Sequence, residues 1–520
     1  MALAKTRSVS LVGVEGFVVD VEAAITSGVP GLHLVGLPDT ALNEARDRVR
    51  AAVYNSGEDW PNRHVTISLF PASLPKRGSI FDTAIAVALM AAAEAIPPRS
   101  CEGLVVIGEL GLDGRLRAVP GALAAVLAAS QAGCTTVVVP SANRAEAELV
   151  DDLQVISASS LRGLLCLLRD EPPPIEEAEE PADASPHSVA EGMVLSGQGN
   201  RGPLDLADVR GQAEARRALE ISAAGGHHLF FTGPPGCGKT MLAERLPTLM
   251  PPLDREEALK VTAIHSVARA LPSDQPLITR PPFYAPHHTA STAAMVGGGH
   301  GRHIQPGAVS LAHNGILFLD EAPEFQRTAL DALRQPLEEG EVRISRIEGA
   351  ACFPARFTLV LAANPCPCAA AKQVDCCCAP GVRRRYLNKL SGPLLDRIDL
   401  KLELTPASRA ELRYDLEFAE ASEVVAERVL QARERTAKRL ADTPWRFNSE
   451  IPGPELRRRF TPPPEAMRAA DAALQNGSLS VRGFDRILRV AWTIADLAGR
   501  DQPNEDDVGG ALALWTGRRP

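Results

Sequence analysis

Apolar and polar residues alternate with a period of two through much of the first third of the chain. Runs such as "GFVVDVEAAI", "HVTISLF", "GLVVIGEL" and "TTVVVP" read as strands. Between them, "DTALNEARDRVRAAVYNSG" and "PGALAAVLAASQAG" follow the helical period, and each closes on a glycine that can take the left-handed C-terminal position. Residues 1–170 are therefore expected to form an α+β domain. From 201 to about 406 the pattern changes. "HHLFFTG", "GILFLDE" and "FTLVLAANP" are short continuous apolar runs among helical stretches, as expected for strands covered on both faces of an α/β sheet. Residues 407–520 are almost wholly helical in pattern, and "VRGFDRILRVAWTIADLAG" is their last strongly amphipathic segment.

The stretch 171–200, "EPPPIEEAEEPADASPHSVAEGMVLSGQGN", has no apolar period and reads as a flexible linker. It also changes the meaning of the net charge. The chain carries −9 in all, yet seven acidic residues and no Lys or Arg fall in the linker, leaving 57 acids against 55 bases elsewhere. Net charge therefore does not exclude a nucleic-acid partner. At 520 residues, 45% hydrophobic and 23% charged, the composition is that of a multidomain globular protein. The apolar run from Ala84 to Ala93 is about half a membrane span and ends at Glu94, so no membrane partner is expected. "MALAKTRSVSLVGVEG" lacks the apolar segment of an export signal. The expected compartment is the cytoplasm, where the ten cysteines are thiols or metal ligands rather than disulfides.

The strongest chemical signal is "GPPGCGKT": Gly233, Pro234, Pro235, Gly236, Cys237, Gly238, Lys239 and Thr240. An apolar strand enters it and a helix leaves it, the context in which backbone N–H groups and a helix N-terminus cradle phosphate. Lys239 would pair with the β- and γ-phosphates, and the Thr240 hydroxyl would ligate Mg²⁺. About 80 residues on, "GILFLDE" ends a buried strand in two carboxylates. Asp320 would hold Mg²⁺ through water, and Glu321 would activate the attacking water. "FTLVLAANP" sets Asn364 at another strand tip, suited to orienting that water. Arg397 in "LSGPLLDRIDL" suits a finger reaching a neighbouring subunit's nucleotide, the alternative being a surface arginine paired with Asp396 or Asp399. Arg482 could contact phosphate from the helical segment, with Arg486 and Arg489 as rivals on the same helix.

Strand, P-loop and helix, then "LFLDE", "AANP", "LLDRID" and a helical end, resemble an AAA+ ATPase. "PFYAPHHTASTAAMVGGGHGRHIQPGAVSLAHNG" and the hairpin-like "EGEVRISRIEGAACFPARFTLV" resemble the helix-2 insert and pre-sensor hairpin of the magnesium chelatase and MCM branch. With "GLHLVGLPDTALNEARDRVRAAVYNSG" and "SLPKRGSIFDTAIAVALMAA", nearly the whole chain outside the acidic linker is similar to the ComM/YifB family of magnesium chelatase-like proteins. The resemblance implies a multidomain α/β protein. Its parts would be an N-terminal α+β Lon-protease-like (ribosomal S5 domain 2-like) domain, a P-loop core over 201–406 and a C-terminal helical lid over 407–520. It further implies a homohexamer that uses ATP and Mg²⁺ to move on DNA and extend branched recombination intermediates during natural transformation. Lys239, Thr240, Asp320, Glu321, Asn364 and Arg397 match the family motifs directly. Arg482 matches a lid arginine thought to act across the subunit boundary.

Lon-type peptide cleavage needs a serine activated by a lysine. The matching positions here are Ile80 and Leu123, so no peptidase is expected; Ser79 and Lys76 lie nearby in sequence but out of register. Candidate DNA contacts are Arg343, Arg346 and Arg356 on the hairpin, and His300, Arg302 and His303 in the Gly-rich insert. "RRRY" at Arg383–Tyr386 and "RRRF" at Arg457–Phe460 read equally as solvated helix ends. His287 and His288, with His300 and His303, read as a polar loop rather than a metal site. "NPCPCAAAKQVDCCCAP" leaves two readings open: a Zn²⁺ staple on Cys366, Cys368, Cys376 and Cys378, or reduced thiols.

Overall fold

The computed structural model describes residues 2–36, 39–76, 78–172, 174, 193–194, 204–271, 275–299, 304–346, 349–370 and 375–517. The N-terminal part contains β1 (Ala2–Val12), β2 (Glu15–Thr26), β3 (Gly31–Val35), β4 (His64–Phe70), β5 (Leu104–Val106), β6 (Glu109–Leu110), β7 (Leu116–Arg117), β8 (Thr136–Pro140) and β9 (Gln154–Ala158). Seven of them form one sheet in the order β3-β4-β2-β1-β5-β8-β9. β1, β2 and β4 pair antiparallel, and the remaining neighbours run parallel. Because side chains alternate across a strand, Val106 and Val138 enter one core while Val105, Val137 and Val139 enter another. The helix Asp82–Ala92 fills the first core and the helix Ala122–Gln131 the second. Every residue of Asp82–Ala92 is buried, which explains the apolar run without a membrane. No described helix is long and apolar enough to cross one.

The second sheet holds β10 (Met193–Val194), β11 (Leu229–Thr232), β12 (Phe283–Tyr284), β13 (Ile316–Leu319), β16 (Thr358–Ala363) and β17 (Leu400–Glu403), in the order β10-β12-β13-β16-β11-β17. The hairpin β14 (Glu341–Arg346) and β15 (Gly349–Pro354) stands apart from it, with Arg346 opposite Gly349. All neighbours in the sheet run parallel except β10 and β12. β13 and β16 are buried at every position, as continuous apolar runs require. Most of the expected linker lies outside the described residues. Met193 and Val194 are a correction to it: their backbone pairs with Tyr284 and Phe283, so the sheet takes its edge strand from the linker's last third.

The C-terminal helices Ser422–Leu440, Pro464–Gln475, Val481–Leu497 and Glu505–Thr516 share one continuous core with the helix Ala213–Gly225 and with β11 and β17. A buried polar network crosses the same seam. His227 Nδ1 lies 3.1 Å from Asp399 Oδ2 and His227 Nε2 lies 2.8 Å from Thr493 Oγ1, while Arg486 pairs with Asp399. Arg486 and His227 hold the Asp399 carboxyl far below the usual range against the opposing effect of burial.

The N-terminal part docks on the helix Arg255–Val267. Ala263 of that helix enters the core around Ala122–Gln131. The Ser266 hydroxyl donates to Glu146 Oε2 at 2.7 Å, and Arg255 Nη2 donates to the Leu149 carbonyl at 2.9 Å. Burial pushes the Glu146 carboxyl up, and donors from Ser266, Asn143 and the Leu123 amide oppose that shift. The β1–β2 turn meets the hairpin so closely that a Cβ on Gly13 would lie 2.7 Å from the Cys352 carbonyl oxygen.

Candidate nucleotide-binding site

The loop after β11 turns on Gly236 (φ 77°) and Gly238 (φ 91°), left-handed conformations that favour glycine. A Cβ at either would meet nothing within 4 Å, so both glycines border open space. Gly233 is needed for the opposite reason, since a Cβ there would lie 2.6 Å from the Leu404 carbonyl oxygen. Pro235 is exposed, Pro234 is half-buried, and Cys237 packs inward, where burial raises its thiol pKa.

Lys239 opens the helix Lys239–Leu249 and is buried. Its Nζ donates to the carbonyls of Gly233 at 2.8 Å and Pro234 at 3.0 Å, and to Asn364 Oδ1 at 3.0 Å. Thr240 Oγ1 donates to Asp320 Oδ2 at 2.8 Å, and the other Asp320 oxygen accepts the Glu321 N–H at 2.8 Å. Strand order creates this cluster. β16 lies between β11 and β13, so Asn364, one residue past β16, stands between the loop and Asp320. Glu321 is exposed and holds a left-handed backbone (φ 49°), a strain of roughly 1–3 kcal/mol for a non-glycine residue. His288 Nδ1 lies 3.8 Å from Glu321 Oε2. Sequence reading placed His288 in a polar loop and missed this neighbour, because 33 residues of chain separate the two.

Arg397 lies elsewhere. It lies three residues before β17, which runs parallel to β11 with Leu400 beside Leu229. The glycine-rich loop follows the other end of β11, so Arg397 occupies the opposite end of the strands, about 13 Å away along four residues. It is buried, donates to the Pro393 carbonyl at 2.5 Å and pairs with Glu338. Asp399, weighed as its partner from sequence, is instead taken by Arg486 and His227. The three arginines of the helix Val481–Leu497 also separate. Arg486 binds Asp399 and the Arg397 carbonyl, and Arg489 donates to the Ile451 carbonyl at 2.8 Å. Arg482, in the first turn of Val481–Leu497, is exposed with no partner among the described residues.

The sequence matches three family profiles: "Magnesium chelatase, subunit ChlI" over 205–412, "Subunit ChlI of Mg-chelatase" over 21–143, and "Magnesium chelatase, subunit ChlI C-terminal" over 419–514. It is 52% identical to an uncharacterized protein of Mycobacterium tuberculosis across the full length of both chains. It is 41% identical to YifB of Escherichia coli, covering 96% of this chain and 94% of that one. To the competence protein ComM of Haemophilus influenzae it is 40% identical over 98% and 97% of the two chains. The chain belongs to the ComM/YifB family.

A shorter likeness links this ComM/YifB chain to a Lon protease of Mycolicibacterium smegmatis, 31% over 157 residues and 28% of the chain. Leu123 is fully buried and Ile80 packs at the edge of the same core. Ser79 Oγ donates to Glu109, whereas Lys76 is buried and donates to the Pro71 and Leu74 carbonyls. The two side chains nearest to a shifted dyad thus have separate partners. Burial lowers the Lys76 pKa, but its hydrogen bonds among the described residues go to backbone carbonyls and not to a serine hydroxyl that it could deprotonate.

Among the candidate nucleic-acid contacts, Arg343 pairs with Glu341 at 2.5 Å on its own strand, and Arg356 is exposed. His300, Arg302, His303 and the Arg346 side chain lie outside the described residues. In "RRRF", Arg457 pairs with Asp485, Arg458 with Glu455 at 2.8 Å, and Arg459 lies over the Phe460 ring. Arg384 and Arg385 are exposed, with no ion pair among the described residues. The sulfurs of Cys366, Cys368, Cys376 and Cys378 in this ComM/YifB chain all lie within 4.8 Å of one another. Cys377 is exposed and stands outside that group.

Proposed function

We propose that the chain is an ATPase motor that works as a homohexameric ring on single-stranded or branched DNA and promotes branch migration of recombination intermediates. Family membership and the cluster at the strand tips support ATP and Mg²⁺ as ligands, and the residues fit them. The open glycine turn leaves room for phosphate, and Lys239 can exchange its contacts with the Gly233 and Pro234 carbonyls for β- and γ-phosphate oxygens. Thr240 and Asp320 would hold Mg²⁺, which when bound neutralises charge on the phosphates. Glu321 takes the proton of the attacking water, and Asn364, tethered to Lys239, orients that water.

One observation carries the ring. Arg397 and the phosphate-binding loop occupy opposite edges of one sheet, so an Arg397 that acts on nucleotide acts on a neighbour's. Its bond to Glu338 is then an intrachain contact exchanged on assembly. Arg482, exposed at the start of its helix, is assigned to phosphate across the same boundary. The near-neutral charge outside the linker is compatible with DNA as the track, and the hairpin and the exposed Arg384 and Arg385 are assigned as its contacts. The first domain, Lon-like without the dyad, is assigned to a non-catalytic role, as a docking or DNA-facing module.

The magnesium chelatase profiles favour a second reading, a motor that remodels a partner protein. ATP hydrolysis by the full chain, alone and with single-stranded DNA or a labelled four-way junction, separates the two. Hydrolysis should rise with DNA, and wild type but not Lys239→Ala should displace the labelled strand. Indifference to every DNA transfers the assignment to the second reading. Glu321→Gln should keep nucleotide binding while turnover falls about 10²–10⁴-fold; undiminished turnover removes Glu321 from the role of base.

A further inference from the structure

Two residues past Asn364 the chain makes a tight turn. The Ala369 N–H donates to the Cys366 carbonyl at 3.2 Å, and Ala369 takes a left-handed backbone (φ 48°) despite its Cβ. The chain then returns, so that Cys366 lies 3.1 Å from Cys368 and 3.4 Å from Cys376, with Cys368 and Cys376 at 3.5 Å. None of these cysteines is in a disulfide. Four sulfurs around one Zn²⁺ at about 2.3 Å sit about 3.8 Å apart, close to the separations seen here. A donor set of four thiolates selects a soft or borderline cation over Mg²⁺ or Ca²⁺.

We propose that Cys366, Cys368, Cys376 and Cys378 bind one Zn²⁺ that staples the end of β16 to the helix Pro380–Leu387 and so fixes Asn364 against Lys239. Both ends of the staple lead to the strand-tip cluster. Cys366 is two residues from Asn364. Cys378 is two residues from the helix Pro380–Leu387, and Lys389, just past that helix, donates to Glu324 Oε2 at 3.5 Å, three residues from Glu321. The four cysteines are positioning residues. The zinc content stands by itself; only the effect on turnover rests on the ATPase reading.

Full-length protein purified without chelator or added metal is analysed for metals, together with Cys376→Ser, Cys376→His and Cys377→Ser. Wild type and Cys377→Ser should carry about one zinc per chain, and Cys376→Ser should lose it. Cys376→His, which offers another zinc ligand, should regain it. Cobalt-exchanged wild type should show the visible bands of a tetrahedral four-thiolate site. Where ATP is hydrolysed, Cys376→Ser should lower kcat more than it changes KM, and Cys376→His should restore kcat. Zinc without hydrolysis would leave the staple standing and remove the ATPase reading. Iron in place of zinc, wild type with only traces of zinc, or equal loss from Cys377→Ser and Cys376→Ser would each overturn the proposal. Should Cys376→Ser fail to fold, the wild-type metal content and cobalt spectrum still decide.

Discussion

The two sheets of this molecule treat polar groups in opposite ways. In the N-terminal sheet, side chains near the expected dyad positions are consumed internally. Ser79 is bound to Glu109, Lys76 is buried against carbonyls, and Asp82 is buried against Arg48. In the second sheet, Thr240, Asp320, Glu321 and Asn364 converge on one edge, and Glu321 is exposed on a strained backbone. Satisfied polar groups specify a fold. A strained, half-solvated cluster facing an open loop is arranged for a ligand.

The largest expected effect sharpens that contrast at the sheet edge without the loop. Arg397→Ala should lower ATP turnover about 10³–10⁵-fold while leaving nucleotide binding near wild type. Mixing it with Lys239→Ala should restore part of the activity, because some interfaces would then join an intact Arg397 to an intact Lys239. No recovery on mixing, together with full activity of a monomeric form, would break the shared-site reading.

A second test concerns groups that the second sheet buries. Burial pushes the His265 and His313 imidazoles down to about 4. His265 Nε2 lies 3.0 Å from the Leu311 carbonyl, and His313 Nδ1 accepts the Arg356 N–H at 3.0 Å, which requires a neutral ring. Unfolded histidine titrates near 6.5, so the unfolded chain binds more protons between about pH 6.5 and 4. Their contribution is therefore fully present above pH 6.5 and is lost as pH falls toward 4. Denaturant midpoints should drop across this window, by a few kcal/mol in all on the order-of-magnitude value of 1.36 kcal/mol per pKa unit. His313→Asn should flatten the dependence; an unchanged slope would exclude that ring as a source.

The smallest effect belongs to the N-terminal sheet. Ser79→Ala should change ATP turnover less than about twofold, as for a substitution outside the site. Peptide hydrolysis should be absent before and after. A peptidase activity that disappears with Ser79 would make the two sheets alike after all.

The family, the loop and the paired carboxylates were legible because each depends on residues contiguous in the chain. Gly236 and Gly238 supply the backbone turn, Lys239 opens the helix, and Asp320–Glu321 end a continuous apolar strand. Other features had no local signal. Nothing in "AANP" says that Asn364 would bond Lys239, because that contact depends on β16 entering the sheet between β11 and β13. His288 beside Glu321 and the His227–Asp399–Arg486 network likewise join residues far apart in sequence. Met193 and Val194 went unseen as an edge strand because two residues carry no period of their own.

By itself, the sequence determined which groups could meet phosphate, that the Lon-like dyad is missing, and that five cysteines lie within a short stretch. Tertiary structure decided which groups meet. It set Arg397 across the sheet from its own loop, left Arg482 without a partner among the described residues, and gathered four sulfurs while leaving Cys377 out. The physical reason is that motifs written in contiguous residues are fixed by local backbone geometry. Contacts between strand tips and helix ends are fixed by strand order and core packing, which no short stretch of chain contains.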